Sequence, residues 1–403
     1  MNKYIKRELE KKILSLSEGF SAVALTGPRQ SGKSTLLKHL FKDTHNYVTF
    51  DDPSIRERAI SDPKLFLEEL GKKVIIDEIQ YIPEILSYIK MSIDNERNLA
   101  GKFILTGSQQ FSLTKNLGDS LAGRIGILEL LPFSINEIKS SPLGRNLNST
   151  LGLFINACLK GSFPEVVLKD KNHSKEWYAS YINTYLERDI RSIYDIGNLR
   201  EFNRFLQLLA SRTSQILNFS TYSNELGVSV NTIKKWISIL EASRIIYLLP
   251  PYYETFGKRI SKSPKIHFLD VGLVCYLVGI TEKSHLINGP MAGQLFETFC
   301  IQETVKAYFN KGLKPNLFYV RTQNDLEVDL IIKIAQNIFP VEIKFSKTIK
   351  PSMSSGLSRF KKVFSKLNIQ KGKILSLSEE EIKLTSNVKT ESITSFIEWI
   401  SNN

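Results

Sequence analysis

Cysteine is nearly absent from this chain of 403 residues: Cys158, Cys275 and Cys300 form an odd, widely separated set, each inside an apolar pattern. Such a set excludes a disulfide framework and fits core thiols in a reducing compartment. Histidine is equally sparse, with five scattered positions that offer no zinc-ligand spacing. No apolar run reaches the roughly 18 residues a membrane span needs, and LVCYLVGI after Gly272 falls far short. The opening MNKYIKRELEKKIL is charged and helix-like, without the apolar core of a signal peptide. These absences predict a cytoplasmic chain with no integral membrane segment.

What is present describes a folded protein of several units: 42% of residues are apolar and 24% charged. The net charge of +13 is uneven, with only +2 carried by residues 1–130 and +11 by the remainder. A polyanion-binding surface is therefore expected in the later part, although a basic face also serves solubility.

The strongest local signal is SAVALT followed by GPRQSGKST, Gly27 to Thr35, and then LLKHLF. Strand, glycine-bounded loop and helix are the context a phosphate-binding loop demands. Gly27 and Gly32 allow the backbone amides of Arg29, Gln30, Ser31, Gly32, Lys33, Ser34 and Thr35 to turn toward phosphates, and the helix adds its positive end. Lys33 is expected on the outer phosphates and Ser34 in a magnesium shell. KVIIDEIQ, Lys73 to Gln80, reads as a buried strand with Asp77 and Glu78 at its C-terminal end. Asp77 is expected to hold Mg2+ and Glu78 to polarise the attacking water. KFILTGSQQF, Lys102 to Phe111, is a further buried strand that brings Ser108 or Gln109 beside the γ-phosphate.

Glycine loop, acidic-pair strand and a strand ending in TGSQ resemble an AAA-type ATPase. LAGRI and LELLPFSINE, with Arg124, Phe133 and Glu137, resemble one prokaryotic subgroup, AAA_14-like, that joins the ATPase to a C-terminal domain of unknown function, DUF4143. The resemblance implies ATP and Mg2+ as ligands, and a homo-oligomer or protein partner. It makes Arg124 a candidate to act on nucleotide, in its own subunit or in a neighbour. In that subgroup a double glycine precedes the aromatic and proline of the segment here written KGSFP; Lys160 stands before Gly161, which weakens the case for a tight left-handed turn there. YINTYLERDIRSI resembles another of its hallmarks, with Tyr185, Glu187, Arg188 and Asp189 on a salt-bridged or nucleotide-responsive helix face.

STYSNELGVSVNTIKKWISILE, residues 220–241, reads as helix, turn at Gly227, helix, with Leu226, Val230, Ile233, Trp236, Ile237 and Leu240 on one face. RIIYLLPPY and PKIHFLD follow as strands around a basic tip carrying Lys258, Arg259 and Lys262. This is a winged-helix layout, whose outer face (Asn231, Thr232, Lys234, Lys235) suits either DNA or a docked protein.

The tail offers a helix, MAGQLFETFCIQETVKAYF, then LFYVRT, a turn at Asn324–Asp325, EVDLIIKI and FPVEIKF as strands. Helix with Glu297, then a meander carrying Asp329, Glu342 and Lys344, is similar to the PD-(D/E)xK restriction-endonuclease-like fold. That resemblance makes Asp329, Glu342 and Glu297 metal ligands and Lys344 a residue that orients water. A half-buried sheet with ionic residues facing water reads the same way. The expected architecture is α/β: a P-loop AAA-type core (1–140), a helical lid (141–211), a winged-helix domain (212–265) and a nuclease-like domain (266–403). Two functions stand open: an ATP-hydrolysing, DNA-associated device with nuclease activity, or an ATP-dependent switch whose C-terminal domain is catalytically inactive and binds protein.

Overall fold

A computed structural model describes residues 4–107, 121–169, 173–186, 199–252, 263–322 and 326–403. Ser108, Gln109, Glu187, Arg188, Asp189, Lys258, Arg259, Lys262 and the Asn324–Asp325 turn lie outside the described residues, as does the side chain of Tyr185. The chain divides into two compact units. The first runs to Phe133 and takes in 242–244 and 309–313; the second holds the rest.

The first unit is built on a parallel sheet of β1 (Ala22–Thr26), β2 (Asn46–Thr49), β3 (Val74–Asp77), β4 (Phe103–Thr106) and β5 (Ile125–Glu129), in the order β2-β3-β4-β1-β5. Its inner strands are unbroken apolar runs because helices cover both faces. Alternation decides which face each residue serves. Ala22, Ala24, Ile76 and Leu105 meet α3 (Pro53–Ser61), α4 (Pro63–Glu69) and α5 (Ile85–Asn95) through Ala59, Phe66, Ile85 and Ile89. Val23, Leu25, Ile75 and Ile104 meet α1 (Glu10–Gly19) and α2 (Lys33–Phe41) through Ile13, Leu36 and Leu37. The starts of α3 and α4 are written locally as Asp-Pro. Asp52 accepts from the Ser54 amide and Asp62 from the Leu65 amide, and each proline occupies a first-turn position where no amide is needed.

The second unit opens with short helices, Thr150–Leu159, Pro164–Leu168 and Ser174–Tyr181, followed by Leu199–Ser211. The expected helix pair is observed at Phe219–Leu226 and Val230–Ala242, with Gly227 at φ +68° ending the first. β6 (Ile246–Leu249) and β7 (Lys265–Phe268) pair antiparallel behind it. The long helix Ala292–Asn310 precedes a mixed six-stranded sheet. β8 (Leu317–Arg321), β9 (Glu327–Ile334) and β10 (Asn337–Ile343) form the antiparallel meander read from the sequence. β11 (Gly372–Leu375) then joins β10 in parallel, beside β13 (Val388–Glu391) and the edge strand β12 (Lys383–Thr385).

Gly161 makes the left-handed turn although Lys160 precedes it. Gly161 adopts φ +88°, and a Cβ there would lie 1.9 Å from the Tyr178 hydroxyl. That hydroxyl donates to Asp270, which also accepts from the Ser162 amide at 2.8 Å and caps the helix Val271–Val278 through the Leu273 amide at 2.8 Å. Lys306 donates to Ser162 Oγ at 3.1 Å and to Glu303 at 2.8 Å, while Glu303 accepts the Ile135 amide at 2.8 Å. The turn is left-handed because this buried polar network needs the backbone close, whatever residue precedes the glycine. Gly161→Ala is expected to destabilise the second unit by about 2 kcal/mol or more in chemical denaturation. Adding Tyr178→Phe, which removes the clashing oxygen, is expected to recover part of that loss.

Candidate functional site

The glycine loop emerges from the C-terminal end of β1, between the ends of β4 and β5. Gly27 takes φ +138°, and a Cβ there would stand 2.2 Å from the Leu130 carbonyl oxygen. Only glycine fits this close approach. Gln30 is left-handed at φ +59°, and Gly32, at φ +93°, opens α2. Lys33 is buried and donates its ammonium to the carbonyls of Gly27 (3.1 Å) and Pro28 (2.9 Å). Burial lowers its pKa to about 8; the charges of Glu78 and Asp77 oppose the shift and Arg29 adds to it. Those four charged groups therefore share one field. Ser31 is fully buried, Ser34 half-buried and Thr35 exposed.

Asp77 ends β3, and both of its oxygens are engaged. Tyr47 on β2 donates its hydroxyl to Oδ2 at 2.6 Å, and the Glu78 amide donates to Oδ1 at 3.1 Å. Glu78 is left-handed at φ +56°, receives a hydrogen bond from Gln80, and is held above the usual carboxylate range by burial. Thr106, at the end of β4, has a buried hydroxyl without a hydrogen-bond partner among the described residues.

Two supporting residues carry no local sequence signal. Arg7 is buried behind the loop and donates to the carbonyls of Ser31 (2.9 Å) and Leu131 (2.7 Å), with its guanidinium over the Phe133 ring. Tyr47 fixes Asp77 while Lys38 lies 3.8 Å above its ring centre. Neither contact follows from spacing, because Arg7 and Ser31 are 24 residues apart and Tyr47 and Asp77 are 30 apart.

Arg124 is not brought to the loop of its own subunit. It precedes β5, at the opposite end of the sheet, and forms a two-bond pair with Asp94 (2.9 and 3.2 Å) at the end of α5. A five-residue strand puts roughly 16 Å between the two ends.

In the second unit the structure does bring Glu297, Asp329, Glu342 and Lys344 together, and it adds Lys265, which the sequence reading did not single out. The Lys265 ammonium lies 3.1 Å from Glu297, 3.1 Å from Glu327 and 3.8 Å from Asp329. Lys344 pairs with Glu342, and Asp329 accepts the Ile343 amide at 2.8 Å. Burial alone would lower the pKa of Lys265, but Glu297, Asp329 and Glu327 together raise it. The residues expected as metal ligands, Asp329, Glu342 and Glu297, thus lie beside lysine ammonium groups. Among the described residues no group of His, Cys, Asp or Glu is arranged to hold a metal ion, and the cation amid these carboxylates is an ammonium.

Burial raises Glu297 to about 7 and Glu342 to about 8; Asp329 adds to both shifts, while Lys265 and Lys344 respectively oppose them. Between the ordinary value of 4.5 and these values, the folded state binds protons that the unfolded chain has released. Stability from this cluster is therefore fully present below that window and is lost as pH rises through it. Thermal melting followed from about pH 5 to about pH 8.5 is expected to show this decline, with a flatter profile for Glu342→Gln.

An AAA domain matches residues 19–139, and two domains of unknown function, DUF8612 and DUF4143, match residues 151–284 and 292–396. Uncharacterized proteins of Mycobacterium bovis and Mycobacterium tuberculosis are each 30% identical over 337 residues, covering 83% of this chain and 72% of theirs. Among solved structures, the Walker-type ATPase PABY2304 of Pyrococcus abyssi is 17% identical with a TM-score of 0.46, covering 68% of this chain and 96% of that one. The RuvB Holliday junction branch migration motor of Thermotoga maritima is 16% identical with a TM-score of 0.33, covering 61% and 90%. The chain belongs to the family of these mycobacterial proteins and, through its AAA domain, is an ATPase.

Proposed function

We propose that the chain is a Mg2+-dependent ATP-hydrolysing switch whose nucleotide state is passed to a DNA-associated second unit. The observation that carries the first half is the setting of Lys33. Its ammonium is held by two loop carbonyls, which phosphate oxygens can replace, and it shares its field with Asp77 and Glu78. The loop can form because Gly27 fits against the Leu130 carbonyl and Gly32 takes the left-handed turn that opens α2, and its backbone amides with the helix start suit a triphosphate. Ser34 and Asp77 would hold Mg2+, which when bound neutralises charge on the phosphate oxygens. Glu78 orients the attacking water, with Gln80 setting the carboxylate. Arg124 acts on nucleotide only in a neighbouring subunit, after leaving Asp94.

For the second unit, the helix pair and ladder support a winged-helix reading. Asn231, Lys234 and Lys235 face solvent on the second helix, as a phosphate-contacting face requires. Helix, three-strand meander, helix and parallel strand support the restriction-endonuclease-like reading. One observation, Lys265 among the carboxylates, favours an inactive version of that fold over a nuclease. On this reading the second unit binds DNA or protein without cutting.

Steady-state ATP hydrolysis tests the core of the proposal. Lys33→Ala is expected to lower kcat/KM by roughly 100-fold or more, and duplex DNA to raise the wild-type rate several-fold. An unchanged rate in Lys33→Ala would overturn the assignment; absence of a DNA response would leave the protein-binding switch. Tyr47→Phe is expected to weaken ATP binding about tenfold in magnesium while leaving magnesium-free binding unchanged. Plasmid incubated with the protein in magnesium or manganese is expected to stay intact, and nicking that disappears in Asp329→Ala would restore the nuclease reading.

A further inference from the structure

The carboxylates of the second unit converge although they come from distant parts of the chain. Glu297 comes from the long helix, Glu327 and Asp329 from β9, and Glu342 from β10. Lys265 enters from β7, whose backbone is fixed on one edge by Leu249 and on the other by a bridge to Ile216. Lys265 is 2% exposed, so its charge has no access to bulk water, and three of the four carboxylates lie within 4.0 Å of it. Four carboxyl groups face two ammonium groups here, those of Lys265 and Lys344.

Two buried polar atoms mark the cluster as more than a set of closed ion pairs. Glu342 Oε2 has no hydrogen-bond partner among the described residues, and neither has His267 Nε2, which stands 4.0 Å from Glu297 Oε1. Glu342 is 8% exposed and His267 fully buried. Native interiors rarely leave such atoms bare, because each carries its full desolvation penalty. Carboxylate oxygens, with an imidazole nitrogen 4.0 Å from Glu297, are the donor types an oxygen- and nitrogen-seeking divalent cation takes.

We propose that Lys265 is the resident cation of this carboxylate cage, an internal ammonium standing where a divalent metal would otherwise sit, and that it keeps the second unit metal-free. The Glu297 and Glu327 oxygens, 3.1 Å from the ammonium nitrogen, suit an N–H donor, and Asp329 at 3.8 Å is a charge contact. Divalent ions such as Mg2+ and Ca2+ draw oxygens to roughly 2.0–2.6 Å, so the two occupants require different settings of the same side chains. The lysine also makes a permanent lock: it is covalent, and its effective concentration cannot be diluted. This inference rests on the reading of the second unit as inactive and is independent of the nucleotide site.

Manganese binding to the full, nucleotide-free chain tests it, with free Mn2+ followed by electron paramagnetic resonance. Lys265→Met is expected to bind one Mn2+ more per chain than wild type, with an affinity for that ion at least about tenfold above any wild-type uptake. Adding Asp329→Asn is expected to abolish the gain, and Lys265→Arg to show none. Melting curves identify folded variants, and Lys265→Met/Glu327→Gln, with one carboxylate charge fewer, serves if Lys265→Met does not fold. A folded lysine-free variant that gains no Mn2+ overturns the lock while leaving the unit metal-free. Wild-type Mn2+ binding that Asp329→Asn removes overturns both.

Discussion

A buried ammonium whose hydrogen bonds, among the described residues, go to two loop carbonyls is the constraint on which the ATPase unit depends. Lys33 sits inside a loop that could not form without Gly27 against Leu130 and Gly32 at the start of α2. Burial lowers its pKa, and Asp77 and Glu78 recover only part of the charge stabilisation. The group is poised, since phosphate oxygens offer it a stronger partner than the carbonyls do. Lys265 shows the opposite solution. It too is buried, but three carboxylates raise its pKa and hold it in place. One lysine is set to change partners and the other to keep them.

Sheet polarity explains where the chemistry lies. Five parallel strands put every C-terminal end on one edge, and Lys33, Asp77 and Thr106 follow or end three of them. Arg124 precedes a strand and so falls on the other edge, beside Asp94. In the second unit the antiparallel meander places Asp329 on β9 near Glu342 on the adjoining β10. The same topology that makes a metal site conceivable also lets β7 deliver a lysine into it.

The phosphate loop was legible because its chemistry is written in consecutive residues. Strands β1, β3 and β4 were equally so, being apolar runs ended by small or acidic residues. The helix pair around Gly227 and the order of helix and strands in the tail also followed from periodicity and turn residues. What escaped was long-range. Arg7 reaches Ser31 and Leu131, Tyr47 reaches Asp77, and Lys265 reaches Glu297, Glu327 and Asp329, across separations that no local pattern encodes. Lys265 sits within a strand that reads as apolar, so its charge looked incidental. The turn at Gly161 had little local support for a related reason: Tyr178 and Asp270, not its sequence neighbours, pack against it.

Proton uptake on binding MgATP near pH 8, measured by calorimetry in buffers of differing ionisation enthalpy, tests the central claim most directly. If Lys33 is half-protonated there and must be charged to hold phosphate, binding takes up about half a proton per chain, and Lys33→Met loses that uptake. Tight binding with no proton uptake, or the same uptake in Lys33→Met, would contradict the account.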